Sequence, residues 1–190
     1  MNTLYPVFLK TENFKILVVG AGAVATEKLS FLLKSSPNAN IIIVAPMIAP
    51  EVLQLIHSKS HIQVIQKSFE PDDIYGCSMV IAATNDSNLN KQVYEVAKAN
   101  NILINVADTP ELCDLYLGSI VTKGDLKIAI STNGKSPTMA KRIRAFFEDI
   151  LPESLPELLR NMEKVRKSIK GDFHEKVKRL NDITEKWNEQ

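Results

Sequence analysis

Through roughly the first hundred residues, short apolar runs alternate with longer segments whose apolar positions recur every three or four residues. Phe14 to Val19 is an apolar, β-branched run that stops at Gly20. Val24 to Leu33 follows, with Val24, Leu29, Leu32 and Leu33 at helical spacing. Ile41 to Ala45 predicts a second strand, stopped by Pro46, and Pro50 to His57 a short helix. Ile62 to Ile65 and Met79 to Ala83 predict two further strands. A helix over Asn88–Ala99 then precedes a fifth strand at Leu103 to Val106. Strands this continuously apolar are buried on both faces, and their alternation with helices calls for parallel crossovers. The expected architecture is α/β, with a doubly wound parallel sheet.

The pattern changes after Asp108. Leu117 to Thr122 and Leu126 to Ser131 predict a hairpin turning at Lys123-Gly124-Asp125. Ser136-Pro137 then reads as an N-cap followed by proline at the first helical position, opening a helix through Phe147. From Leu155 to Trp187 the apolar residues again fall at three- and four-residue steps, and Gly171 divides this stretch into two amphipathic helices. The chain is therefore expected to comprise a nucleotide-binding domain over 1–113, a hairpin-and-helix segment over 114–150 and a helical tail over 151–190. Two strands and one helix make a poor core alone, and an open hairpin edge invites pairing. The middle segment is accordingly expected to dimerise with a second copy of the chain.

Composition narrows the function classes. In 190 residues, 23 Lys+Arg stand against 22 Asp+Glu, without the basic excess typical of nucleic-acid binders. No apolar stretch approaches the roughly 20 residues a membrane span needs, and the N-terminal residues do not resemble a signal peptide. Cys77 and Cys113 form no C-x-x-C pair, and His57, His61 and His174 are not spaced with them. Neither a metal site nor a disulfide is expected, which points to a reduced, cytoplasmic protein.

The chemistry begins at Gly20-Ala21-Gly22-Ala23-Val24-Ala25, which reads G-x-G-x-x-A between the first strand and the first helix. In that context the motif predicts dinucleotide binding and a Rossmann-type sheet. Gly20 permits the tight turn, Gly22 lets the backbone approach a pyrophosphate, and the helix N-terminus offers its N–H groups to the phosphates. The second strand ends Val44-Ala45-Pro46-Met47, with neither an acid for a ribose hydroxyl nor an arginine for a 2′-phosphate, so the choice between NAD and NADP stays open on these residues. Pro46 and Met47 are expected near the adenosine ribose, and Thr84 and Asn85, after the fourth strand, along the crevice. Asn85 and Asp86 alternatively cap the next helix. Asp108 follows the fifth strand on the same rim, either as a proton acceptor beside a departing hydride or as a turn residue before Thr109-Pro110. Ser131 to Ser136 is a polar loop leading into a helix with Lys141, Arg142 and Arg144, a setting suited to an anionic substrate or simply to a capped, solvated helix.

Taken together, these pieces resemble the precorrin-2 dehydrogenase family, the N-terminal domain of siroheme synthases. The matching residues run in order: Leu4-Tyr5-Pro6-Val7-Phe8-Leu9, Val18 to Ala25, Val44-Ala45-Pro46, Val80 to Asp86, Asn105 to Asp108, Pro110 to Asp114 and Ile130 to Pro137. The resemblance covers residues 1 to about 150. It implies NAD-dependent oxidation of precorrin-2 to sirohydrochlorin by an intertwined homodimer, with Asp108 as catalytic acid/base. It places cofactor contacts at Ala23, Val24, Pro46 and Met47, beside those expected from the motif and the strand ends at Gly20, Gly22, Thr84 and Asn85. Substrate contacts are expected at Asn105, Thr132, Lys135, Ser136 and Arg142, because precorrin-2 carries many carboxylates. Some members have Ser-Ser-Gly-Gly where this chain has Ser131-Thr132-Asn133-Gly134, so a role resting on the second serine falls here to a threonine. Some relatives also insert Fe²⁺ into sirohydrochlorin in the same cleft, and the length leaves no room for the methyltransferase domain of fused relatives. The alternatives are therefore a bifunctional dehydrogenase and ferrochelatase, or a non-enzymatic NAD-binding sensor.

Overall fold

The computed structural model describes residues 2–185; Trp187, expected on the last helix, lies outside the described residues. Five strands form one sheet: β1 (Lys15–Val19), β2 (Asn40–Val44), β3 (Gln63–Ile65), β4 (Cys77–Ala82) and β5 (Leu103–Val106). Their order is β3-β2-β1-β4-β5, and every neighbouring pair is parallel. The order reverses between β1 and β4, so a crevice opens at the carboxyl ends of those strands, where doubly wound sheets bind their ligands.

Both sheet faces are covered, as the apolar strands require. Ile16, Val18, Ile41, Ile43 and Ile81 pack with Leu29 and Leu33 of α1 (Ala23–Ser35) and Val52 of α2 (Pro50–Ile56). On the other face, Leu17, Val19, Val80 and Ile104 pack with Val93 and Ala97 of α3 (Ser87–Ala99). Each fully buried side chain of this kind contributes about 1.5–3 kcal/mol of transfer free energy, and the two layers close a complete core around the strands.

Beyond β5, β6 (Ser119–Lys123) and β7 (Leu126–Ile130) form the expected two-stranded hairpin. The helix opened by Pro137 is α4 (Pro137–Ile150), one turn longer than its expected end at Phe147, and the Ser136 hydroxyl accepts the Met139 N–H at 3.2 Å as its cap. Gly171 lies between α5 (Leu155–Ser168) and α6 (Phe173–Thr184). The chain divides into two compact units. One holds the residues up to Ser119 together with Ser131–Ala140; the other holds Ile120–Ile130 and the residues from Lys141 on. Among the described residues, no helix is long and apolar enough to cross a membrane.

Candidate functional site

The turn after β1 is shaped by its first glycine. Gly20 has φ +105°, and a Cβ there would stand 2.5 Å from the Ala83 carbonyl oxygen. Only glycine combines that dihedral with so close an approach of the β1 and β4 loops. Gly22 differs: a Cβ on it would meet nothing within 4 Å, so its side faces open space. It is the N-cap of α1 and offers no side-chain acceptor, which leaves the first N–H groups of that helix, including those of Ala23 and Val24, available to an external anion. An open approach, a bare helix N-terminus and a tight turn beneath it fit the pyrophosphate of a dinucleotide.

Beside this turn lies a cleft of about 380 Å³, lined by Gly20, Pro46 and Thr84 and also by Ser68, Phe69, Asp86, Leu89 and Gln92. Its size suits one small-molecule moiety. The segment after β3 is drawn to the β2 loop by Gln66, whose Nε2 donates to the Pro46 carbonyl at 3.2 Å. Next to it Lys67 pairs with Glu70 and with Asp73, the latter at 2.9 Å, and these carboxylates, Glu70 first, raise the Lys67 pKa.

On the opposite wall, Asn90 holds the β4–α3 loop. It is a buried polar residue whose Oδ1 accepts from the Thr84 N–H at 3.2 Å and the Thr84 hydroxyl at 2.8 Å, while its Nδ2 donates back to the Thr84 carbonyl at 3.0 Å. Asp86 caps α3 by accepting the N–H groups of Asn88 and Leu89 at 2.9 and 3.2 Å. The capping role left open for Asn85 and Asp86 thus falls to Asp86, with Asn85 exposed beside it. Met47 is 80% exposed after β2. Of the expected cofactor contacts, Gly20, Pro46 and Thr84 line the cleft; Gly22, Ala23, Val24, Met47 and Asn85 lie outside its lining.

Asp108 is exposed just past β5, with φ +58°. A left-handed non-glycine residue is uncommon and persists where its surroundings over-determine it, a pattern that clusters at functional sites. Asn105, 5% exposed, donates its Nδ2 to the Leu115 carbonyl at 2.9 Å, while its Oδ1 is buried without a partner among the described residues. In the loop before α4, Asn133 and Gly134 are both left-handed, and the Thr132 hydroxyl accepts the Ser136 N–H at 3.1 Å. The loop, with Thr132, Lys135 and Ser136, belongs to the first unit; Arg142 is an exposed residue of the second. Among the described residues, no three His, Cys, Asp or Glu side chains gather as a metal site.

The sequence model of an NAD(P)-binding family matches residues 7–119, more than half of the chain, and that of the sirohaem biosynthesis protein central region matches residues 123–150. The chain belongs to the precorrin-2 dehydrogenase family of siroheme synthase N-terminal domains. It is 37% identical over 189 residues to a siroheme synthase of Vesicomyosocius okutanii, covering 100% of this chain and 39% of that protein. A siroheme synthase of Nitrosococcus oceani is 39% identical over 165 residues, or 87% of this chain and 35% of that one. The chain thus spans well under half the length of these siroheme synthases. Among solved structures, SirC, a precorrin-2 dehydrogenase, superposes with a TM-score of 0.76 at 27% identity, over 95% of this chain and 89% of its own.

Sequence reasoning missed Ser68, Phe69, Leu89, Asn90 and Gln92. Ser68 and Phe69 stand in an irregular segment with no periodicity to flag them. Asn90, buried at one end of a helix face, carried the available signal: an amide at a core position three residues before Val93.

Proposed function

We propose that this chain oxidises precorrin-2 to sirohydrochlorin with NAD as the oxidant, on the route to siroheme. The likeness to SirC over nearly the whole of both chains supports the substrate, and the cleft at the β1–β4 crossover supports the dinucleotide. NAD is favoured over NADP because the β2 loop, Pro46-Met47, offers no charge to a 2′-phosphate, and the nearby Lys67 is already held by two carboxylates. The three-part organisation over 1–113, 114–150 and 151–190 belongs to this reading, with the middle segment dimerising. Support comes from the sirohaem central match at 123–150 and from the exposure of Phe146 and Ile150 on α4. Two free cysteines are consistent with work in the cytoplasm.

The dinucleotide, when bound, supplies the hydride acceptor. The chain's own contribution is positional and electrostatic. Gly20 and Gly22 bring backbone against the pyrophosphate, and the α1 N-terminus neutralises part of its charge. Asp108 takes the proton that must leave the macrocycle carbon skeleton when the hydride departs. Thr132, Lys135, Ser136 and Arg142 contact the substrate carboxylates, and Asn105 offers Oδ1 as an acceptor.

The observation that carries this reading is Asp108, held left-handed and exposed at the carboxyl end of β5. Asp108→Asn should cut anaerobic oxidation of precorrin-2, followed as NADH and sirohydrochlorin, by about a hundredfold or more, leaving the NAD dissociation constant within about twofold. Activity surviving within about fivefold would remove Asp108 from catalysis. NAD binding by the unaltered chain without turnover would favour the sensor, and Fe²⁺ added to the sirohydrochlorin formed tests the ferrochelatase.

A further inference from the structure

β5 is an edge strand, and its outward backbone groups are satisfied by the chain that returns after the Asp108 loop. Asp114 clasps Ile104 twice: its N–H donates to the Ile104 carbonyl at 2.8 Å, and its carboxylate accepts the Ile104 N–H at 3.2 Å. The second carboxylate oxygen pairs with Lys98 on α3 at 2.6 Å. Asn105 reaches Leu115, as described above. At Val106 the partner is a sulfur: the Val106 N–H donates to Cys113 Sγ at 3.2 Å, and that Sγ also lies 3.2 Å from the Val106 carbonyl and 3.4 Å from the Thr109 carbonyl. Asn105 Nδ2 approaches the same sulfur at 3.5 Å. Residues 104–106 are thereby laced to 113–115 by side chains, and the six residues between them carry Asp108.

The geometry points to Cys113, acting with Asn105 and Asp114, as a positioning residue for Asp108: its thiol ties the strand end at Val106 to Thr109 and so holds the intervening Asp108 in its left-handed conformation. The inference rests on the reading of Asp108 as the base. Three of the sulfur's backbone partners flank Asp108, two residues before it and one residue after it. The Thr109 N–H also donates to the Val106 carbonyl at 3.4 Å, so the sulfur adds a side-chain tie to a turn the backbone already closes, and a left-handed residue persists where its surroundings over-determine it in this way. The thiol must stay protonated to donate to either carbonyl, and burial, the largest influence on it, raises its pKa. Asn105 Oδ1, buried in the same brace without a partner among the described residues, is an acceptor left for a donor arriving with the substrate.

If Cys113 positions Asp108, Cys113→Ala should lower kcat about tenfold while KM for precorrin-2 and the NAD dissociation constant stay within about twofold. Cys113→Ser, which still donates and accepts, should recover to within about threefold of the unaltered chain. The separating measurement is a double-mutant cycle under single-turnover conditions: in the Asp108→Asn background, Cys113→Ala should cost nothing further. An equal loss in both backgrounds, or a Cys113→Ala chain whose kcat stays within about twofold, would overturn the proposal. Should Cys113→Ala fail to bind NAD or to fold, Asp114→Asn serves in its place, with a loss in kcat and unchanged KM expected; unchanged kcat overturns it. A fully active Asp108→Asn would sink the catalytic reading itself, whereas an inactive Asp108→Asn beside an unaffected Cys113→Ala sinks only the positioning role.

Discussion

In the first compact unit Ile16, Leu17, Val18, Ile41, Ile43, Val80 and Ile81 are wholly shielded from solvent, whereas in the second Val121, Leu155 and Ile169 are the buried hydrophobic side chains among the described residues. Phe173 is 76% exposed there, and Phe146 59%. Both units are patterned, but the patterns carry different information. A strand apolar on both faces can exist only between two layers, so β1 and β4 specify their own cover. An amphipathic helix specifies an apolar face and says nothing of what closes it. The sheet unit therefore has a complete core within the chain, while the helical unit leaves apolar side chains such as Phe146, Ile150 and Phe173 exposed.

The sharpest way to break this contrast is at the two glycines of the first unit. Gly20→Ala forces a Cβ against the Ala83 carbonyl at a left-handed φ, so a loss of about 3 kcal/mol or more in urea unfolding is expected, together with loss of NAD binding. Gly22→Ala meets open space and should cost only about 1 kcal/mol, the penalty of alanine at an N-cap, yet weaken NAD about tenfold by placing a methyl group in the pyrophosphate path. Equal behaviour of the two variants in unfolding and titration would contradict the description of this turn.

Next in size is a pair of core truncations. Ile81→Ala should cost about 2–5 kcal/mol, whereas Phe173→Ala should cost under about 0.5 kcal/mol in the same chemical unfolding series. Comparable losses would show that the second unit is closed after all. A smaller effect is expected on association: Phe146→Ser should weaken the proposed dimer by about tenfold in sedimentation equilibrium. An unchanged dimer would move the interface away from α4.

The smallest expected effect is a loss of stability at alkaline pH in the first unit, which holds both cysteines. Burial raises the pKa of the Cys77 and Cys113 thiols from the ordinary 9.0. A folded state that holds its protons more tightly has its full advantage below the ordinary thiol value and loses it as pH rises from there through the raised folded value. The unfolding midpoint of the sheet unit should therefore fall above about pH 9, a shift that Cys77→Ser reduces.

Much of this molecule was legible residue by residue. The five strands, the helix starting at Pro137 and the break at Gly171 fall where apolar spacing, proline and glycine put them, with strand ends shifted by a residue or two and the end of that helix by three. The single turns of 3-10 helix at Thr11–Asn13, Pro71–Ile74 and Pro110–Leu112 were not read, because three or four residues carry no period. The rim positions Gly20, Pro46 and Thr84 were legible because strand ends locate them. Asn90, Gln66 and Cys113 were not, since each acts through partners that only the folded chain brings within reach.

The sequence by itself determined the class of fold and the turn that would cradle a dinucleotide. Both follow from local rules, the period of apolar residues and the small residues that alone fit a tight strand-to-helix turn. The tertiary structure alone decided the strand order, the walls of the cleft and the lacing of Cys113, Asn105 and Asp114 beside Asp108. These depend on hydrogen bonds and packing between segments distant or irregular in sequence, and such pairings leave no periodic trace in the order of residues.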